Sequence, residues 1–143
     1  MSEQPHVRLS QSDEDFKRAF EVRWKVFVEE QGVPADIESD ELDPIAVHAL
    51  AELDGAVVAT GRLTFDEGAR IGRIAVLPEH RHQGIASRIL KELELVAATR
   101  GYREVTLHAQ TYAQALYDKN GYAVSGPGFV EAGIDHVPMR KAI

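Results

Sequence analysis

Six consecutive residues, Arg81-His82-Gln83-Gly84-Ile85-Ala86, put cationic side chains and a glycine directly ahead of a helical pattern. An apolar run, Ile71 to Leu77, precedes them and ends at Pro78; Ala86, Ile89, Leu90, Leu93, Val96 and Ala97 follow at the spacing of one helix face. A strand, a tight loop and a helix N-terminus in that order make an anion site. The first-turn N–H groups have no partner within the helix, and its dipole favours negative charge there. Gly84 lets a ligand approach the backbone, while Ala86 and Ser87 keep the mouth small. N–H groups from about Gln83 to Ser87 would meet the anion, with Arg81, His82 or Arg88 adding charge. Read by itself, the same stretch also suits an ordinary loop between strand and helix that binds nothing.

A second candidate is Tyr117, within Ala115-Leu116-Tyr117-Asp118-Lys119-Asn120-Gly121-Tyr122. A phenol with an ordinary pKa near 10 is close enough to a thiol to serve as its general acid. A core tyrosine against a sheet fits the residues equally well. The histidines give no metal pattern: no pair has zinc-helix spacing, and His108 and His136 read as core or edge residues of strands.

These residues need a frame, and the chain supplies one. His6–Leu9 reads as a first strand. Ser12 caps a helix with acids in its first turn, and Phe16, Phe20, Trp24 and Phe27 carry it to about Gln31, before Gly32 and Pro34. Ile45–Leu53 and Ala56–Phe65 flank Asp54-Gly55, a strong hairpin signal. After the organising strand, loop and helix comes a strand at Glu104–Ala109, reached by a helical crossover and hence parallel to Ile71–Leu77. A short helix over Thr111–Asn120 and two strands, near Tyr122–Ser125 and His136–Lys141, complete a mixed α/β sheet. At 143 residues the chain reads as one domain, 1–143.

Composition narrows the chemistry. There is no cysteine, so thiolate nucleophiles, thiolate metal sites and disulfides are excluded. No apolar run approaches the roughly 20 residues that span a bilayer, and Met1–Ser10 lacks the pattern of a secretory signal; a cytoplasmic protein with no membrane partner is expected. The net charge of −7 is concentrated. Glu29, Glu30, Asp36, Glu38, Asp40, Glu41 and Asp43 fall together, with no Lys or Arg between Lys25 and Arg62. Such a segment repels phosphates, so nucleic acid is not an expected partner. It reads as a solvated loop with at most one helical turn, facing a cationic acceptor such as a polyamine, an aminoglycoside or a lysine side chain. Arg23 and Trp24 would pack or pair against it.

The loop and its context resemble the acyl-CoA-binding motif of the GCN5-related N-acetyltransferases (GNAT), Gln/Arg-x-x-Gly-x-Gly/Ala between strand and helix. Tyr117 with Gly121-Tyr122 resembles the family's second signature. Arg23…Val26-Phe27-Val28-Glu29-Glu30-Gln31, Leu107-His108-Ala109-Gln110 and Gly133-Ile134-Asp135-His136…Met139 resemble the small bacterial ElaA-like subgroup. The resemblance implies a mixed, mostly antiparallel sheet of six or seven strands with one splayed parallel pair and helices on both faces. It implies acetyl-CoA as co-substrate and no metal. Arg81, His82, Gln83, Gly84, Ile85, Ala86 and Ser87 would hold the pyrophosphate, and Ile74, Ala75 and Val76 the pantetheine amides, with an oxyanion donor near Val76. Gln110 stands where many relatives place an asparagine. The resemblance favours Tyr117 as general acid in direct attack by a primary amine of a small molecule or peptide. Glu30 and Glu41 would face the acceptor; the general base is open among Glu41, Asp40, Glu38, Glu30 and a water chain. Two other readings remain: a non-catalytic acyl-CoA sensor, and a relative of acyl-homoserine-lactone synthases. The last strands offer an edge for a homodimer.

Overall fold

A computed structural model describes residues 4–143. Strand β1 (His6–Leu9) leads into helix α1 (Asp13–Arg23). The Ser12 hydroxyl caps the helix by accepting from Asp15 N–H at 3.1 Å, and the Asp15 carboxylate reaches back to the Gln11 N–H at 2.9 Å. Asp15 thereby does at short range what Glu does in a capping box. The helix continues as a seven-residue π-helical segment, Trp24–Glu30, with Gln31 N–H on the Val26 carbonyl. One turn of helix, α2 (Ala35–Glu38), follows before β2 (Val47–Leu53).

The hairpin at Asp54-Gly55 has both residues at positive φ, 53° and 79°, as a type I′ turn requires. It joins β2 to β3 (Ala56–Thr64), which pairs with β4 (Ala69–Val76). Then come α3 (Ile85–Thr99), β5 (Glu104–Gln110), α4 (Gln114–Lys119), β6 (Ala123–Val124), β7 (Phe129–Glu131) and β8 (Ile134–Ala142). The eight strands form one sheet in the order β1-β2-β3-β4-β5-β8-β6, with β7 on β8 and only β4–β5 parallel. The eighth strand is β7, which lies between the two last strands expected near Tyr122–Ser125 and His136–Lys141. Ala132 and Gly133, at φ 52° and 75°, fold that stretch into a second tight hairpin.

Two apolar layers sandwich the sheet. Ile85, Ile89, Leu90, Leu93 and Ala97 of α3 pack on one face with Leu63, Ile71, Val105, Leu107 and Tyr117. Val22, Val26 and Phe27 pack on the other with Leu50, Val57 and Ala75. Gly61 of β3 belongs to the α3 face: a Cβ there would lie 2.6 Å from Ile89 Cγ2 and 2.7 Å from Ile74 Cδ1. The interior is close-packed at that point.

Strand β4 breaks its own alternation. Ala69 and Ile71 join the α3 layer, yet beyond Gly72-Arg73 it is Ile74 and Val76 that do so, and Ala75 moves to the α1 layer. Arg73 sits at φ +54° and the β3–β4 register shifts between Thr60 and Arg62. This is a β-bulge, which bends a strand and frees its neighbours from the ladder. Its consequence is the site.

Candidate active site

Strands β4 and β5 pair over three positions only, Ala69 with Val105, Arg70 with Thr106 and Ile71 with Leu107. Past the bulge they part, so Ile74, Ala75 and Val76 line a cavity instead of pairing with β5. The cavity measures about 1140 Å³. Its far wall is the loop to α3: His82 is at φ +64° and Gly84, the N-cap of α3, at φ +80° with no capping side chain. Two left-handed residues in so short a loop curl backbone N–H groups into a concavity suited to an anion. A Cβ at Gly84 would meet nothing within 4 Å, so glycine is there for its φ and for open approach.

Of the residues expected to hold the cofactor, Ile74, Ala75, Val76, Arg81, His82, Gly84, Ile85, Ala86, Ser87 and Gln110 all line this one cavity, as does Tyr117. Gln83 is exposed and does not belong to the wall. Ser87 is tied to α4 by Asn120, whose Nδ2 donates to its Oγ at 3.0 Å. Tyr117 is 8% exposed, and its ring meets Tyr122 edge-on at 6.0 Å. Burial, and then the neighbouring Tyr112, push its phenol well above the usual tyrosine range, so it keeps its proton.

Arg81 is already engaged. Its guanidinium grips Glu30 through two hydrogen bonds, 2.6 and 2.7 Å, and its Nε donates to the Val76 carbonyl at 2.9 Å. Glu30 therefore serves as a counter-charge to the anion loop, and Arg81 holds its carboxyl below the ordinary range. Glu41 is exposed and stands apart from the wall. Gln110 reaches across the cavity to the end of the π-helical segment: its Nε2 donates to Gln31 Oε1 at 2.8 Å, and Gln31 Nε2 donates to the Tyr112 hydroxyl at 2.9 Å.

The acidic segment is not a solvated loop. Glu38 and Asp43 are buried, both on Arg23, which is 1% exposed. Arg62 of β3 takes Asp40 at 2.7 Å and Asp43 at 2.9 Å, and Arg73 donates to Asp40 and to the Glu38 carbonyl. Burial opposes ionisation of Asp43, but the Arg23 hydrogen bond and charge, the Asp40 N–H and Arg62 outweigh it and bring the carboxyl to about 2. The sequence signal for a cationic acceptor is thus largely spent on internal arginines. Asp40 and Glu38 still reach the cavity wall, beside Arg62 and Arg73.

His108 also lines the cavity, with Glu131 and His136. His136 is a satisfied, buried ring, its Nδ1 2.7 Å from the Ile134 carbonyl, as its strand position suggested. His108 is not a core residue. A signal for it existed in β5: with Val105, Leu107 and Ala109 buried toward α3, period-two alternation puts Thr106, His108 and Gln110 together on the opposite face. Nothing in the sequence placed Glu131 beside it.

A splayed parallel pair opening onto a left-handed loop and a helix N-terminus, with a buried phenol in the same cavity, defines an acyltransferase built to take a long thioester arm. The chain belongs to the GNAT acetyltransferase family: residues 10–143 match the family description "Acetyltransferase (GNAT) domain". It is 41% identical over 135 residues to the uncharacterized N-acetyltransferase YjcF of Bacillus subtilis, covering 93% of this chain and 96% of that one. Among solved structures it is similar to an acyl-CoA N-acyltransferase from Pseudomonas aeruginosa, at TM-score 0.82 and 29% identity over 96% of this chain and 99% of that one. Escherichia coli ElaA superimposes at TM-score 0.83 with 22% identity, over 96% and 99% of the two chains. Among the described residues no helix is long and apolar enough to cross a membrane, and no group of His, Asp and Glu is arranged to hold a metal.

Proposed function

We propose that the protein transfers an acetyl group from acetyl-CoA directly to the primary amine of a small molecule or peptide. The observation that carries this is the continuity of one cavity, from the amide cradle at Gly84, along the freed edge of β4, to the Tyr117 phenol. The cradle suits a pyrophosphate and the edge suits amides that mimic a strand. Backbone N–H groups near Val76 would meet the oxygen of a polarised thioester carbonyl. A cavity of about 1140 Å³ leaves room for an acceptor beyond the thioester.

Acetyl transfer needs a proton for the departing sulfur. Tyr117 is protonated at any physiological pH and lies on the wall. Burial keeps the phenol protonated, and the same apolar surroundings disfavour a naked thiolate, which favours proton donation to the departing sulfur. Arg81 would meet the pyrophosphate by exchanging Glu30 for phosphate oxygens, one bidentate acceptor for another.

The test is thiol release from acetyl-CoA across a panel of polyamines, aminoglycosides and amino acids, with CoA affinity read by calorimetry. Turnover that Tyr117→Phe reduces about a hundredfold with CoA affinity intact supports the reading. Binding without turnover of any amine would make the protein a sensor, and no CoA binding would refute the site.

A further inference from the structure

Resting on that transferase reading, we infer that His108 is the general base for the attacking amine, oriented by Glu131. The carboxylates of the acidic segment are poor candidates. Glu38 and Asp43 are locked on Arg23, Asp40 on Arg62 and Arg73, and Glu30 lies off the cavity wall. Glu41 lies off the cavity wall. A carboxylate held ionised by an arginine has little drive to accept a proton.

His108 lines the same cavity as Tyr117. It is the first β5 residue past Leu107, the last position paired with β4, and so marks the fork of the splay. Its face of β5 is shared with Gln110, opposite the α3 layer. Its ring is a side wall of the cavity and is 31% exposed, accessible yet partly ordered. Two residues of the β7–β8 hairpin set its orientation: Phe129 meets it edge-on at 4.8 Å, and Glu131 Oε2 lies 3.5 Å from Nδ1. With Nδ1 turned to the carboxylate, Nε2 is left for the substrate, the division of labour that makes an imidazole a directed base. The other charged or titratable groups at this end of the cavity are His136 from β8, Arg62 from β3, Arg70 and Arg73 from β4, and Glu38 and Asp40. His136 Nε2 is 4.0 Å from the other Glu131 oxygen, so one carboxylate serves both rings.

The step balances simply. Nε2 takes a proton from the ammonium form of the acceptor, and the freed lone pair forms the new C–N bond at the thioester carbon. Nε2 passes that proton to solvent; the C–S bond breaks, the sulfur leaves with a proton from Tyr117, and the extra proton on the new amide nitrogen returns the Tyr117 phenolate to the phenol. One amide, one CoA thiol and one released proton result, with no oxidant or metal involved.

The test measures kcat/KM against pH for the amine that the wild-type protein acetylates best, together with CoA calorimetry. For His108→Gln the expected result is a loss of about a hundredfold or more in kcat at neutral pH, a shift of the acid limb up to the ionisation of the amine itself, and unchanged CoA affinity. In His108→Ala, added free imidazole restores part of the rate. An acid limb that keeps its wild-type position in His108→Gln overturns the inference while leaving the transferase reading intact; no turnover by the wild type overturns both. Should His108→Gln lose CoA binding through misfolding, Glu131→Gln decides: kcat falls several-fold with CoA affinity kept, and an unchanged kcat refutes the role.

Discussion

The two ends of the cavity are made from different materials. The end formed by 74–76 and 81–87 presents backbone: a freed strand edge, two left-handed residues and the first turn of α3. The end at the fork presents side chains, Asp40, Arg62, Arg73, His108 and Glu131, delivered by five separate segments. Backbone is the same in every residue, so one contiguous stretch can build a site for a fixed donor, and the rest of the fold need only hold it open. A side-chain site can be altered one residue at a time without disturbing the scaffold. Such a division suits an enzyme class with one donor and many acceptors.

The largest effect expected tests whether the ends are independent. Arg23→Ala leaves Glu38 and Asp43 buried without their cation, at a cost of about 3–5 kcal/mol; urea unfolding measures it. CoA affinity in the still-folded protein, taken by calorimetry in the cold, should be preserved. A parallel loss of CoA binding would show that the ends are one unit.

Gly84→Val sharpens the backbone claim. There is space for the side chain, but φ +80° costs a β-branched residue about 1–3 kcal/mol. The free loop relieves that strain by leaving the left-handed conformation and CoA must restore it, so CoA affinity should fall roughly ten- to a hundredfold at 1.4 kcal/mol per factor of ten, with acceptor KM unaffected. Gly61→Ala should cost about 1–3 kcal/mol by overpacking Ile74 and Ile89, read as a lower denaturation midpoint.

Acid should loosen the fork end first. Asp43 titrates at about 2 in the folded chain and near 3.8 when free, so it contributes stability above about pH 4 that is lost as pH falls toward 2. Asp43→Asn should flatten that part of the pH–stability curve; an unchanged slope would remove Asp43 from the network. The smallest effect is at Glu30→Gln, which frees Arg81 for phosphate. CoA should bind about two- to fivefold more tightly, the scale of one exposed ion pair, and lose that gain in high salt.

The legibility of the protein follows the same division. The anion loop, the helix behind it, the Asp54-Gly55 hairpin, the parallel crossover and the Ser12 cap were all readable, because each depends on residues close in sequence. The π-helical segment was read only as continuing helix, since its apolar spacing is satisfied either way. The β4 bulge had a local signal in Gly72-Arg73, which interrupts the apolar run Ile71–Leu77, but only pairing against β3 around Gly61 shows that the alternation reverses there. Arg23 pairs with the acidic segment as its sequence position suggests, but the segment misled because its other partners, Arg62 and Arg73, lie far along the chain.

By itself, then, the amino-acid sequence determined the order of elements, the glycine-bearing loop at the start of α3 and the candidacy of Tyr117. These rest on local geometry: periodicity, a glycine free to take positive φ, and amides unpaired at a helix start. Tertiary structure alone decided that Glu30 answers Arg81, that Gln110 meets Gln31, that the acids are neutralised internally, and that the β7–β8 hairpin carries Glu131 to His108. Each of those contacts joins residues far apart in the chain. Their distances are set by how the sheet splays and how its layers pack, which no short window of sequence encodes.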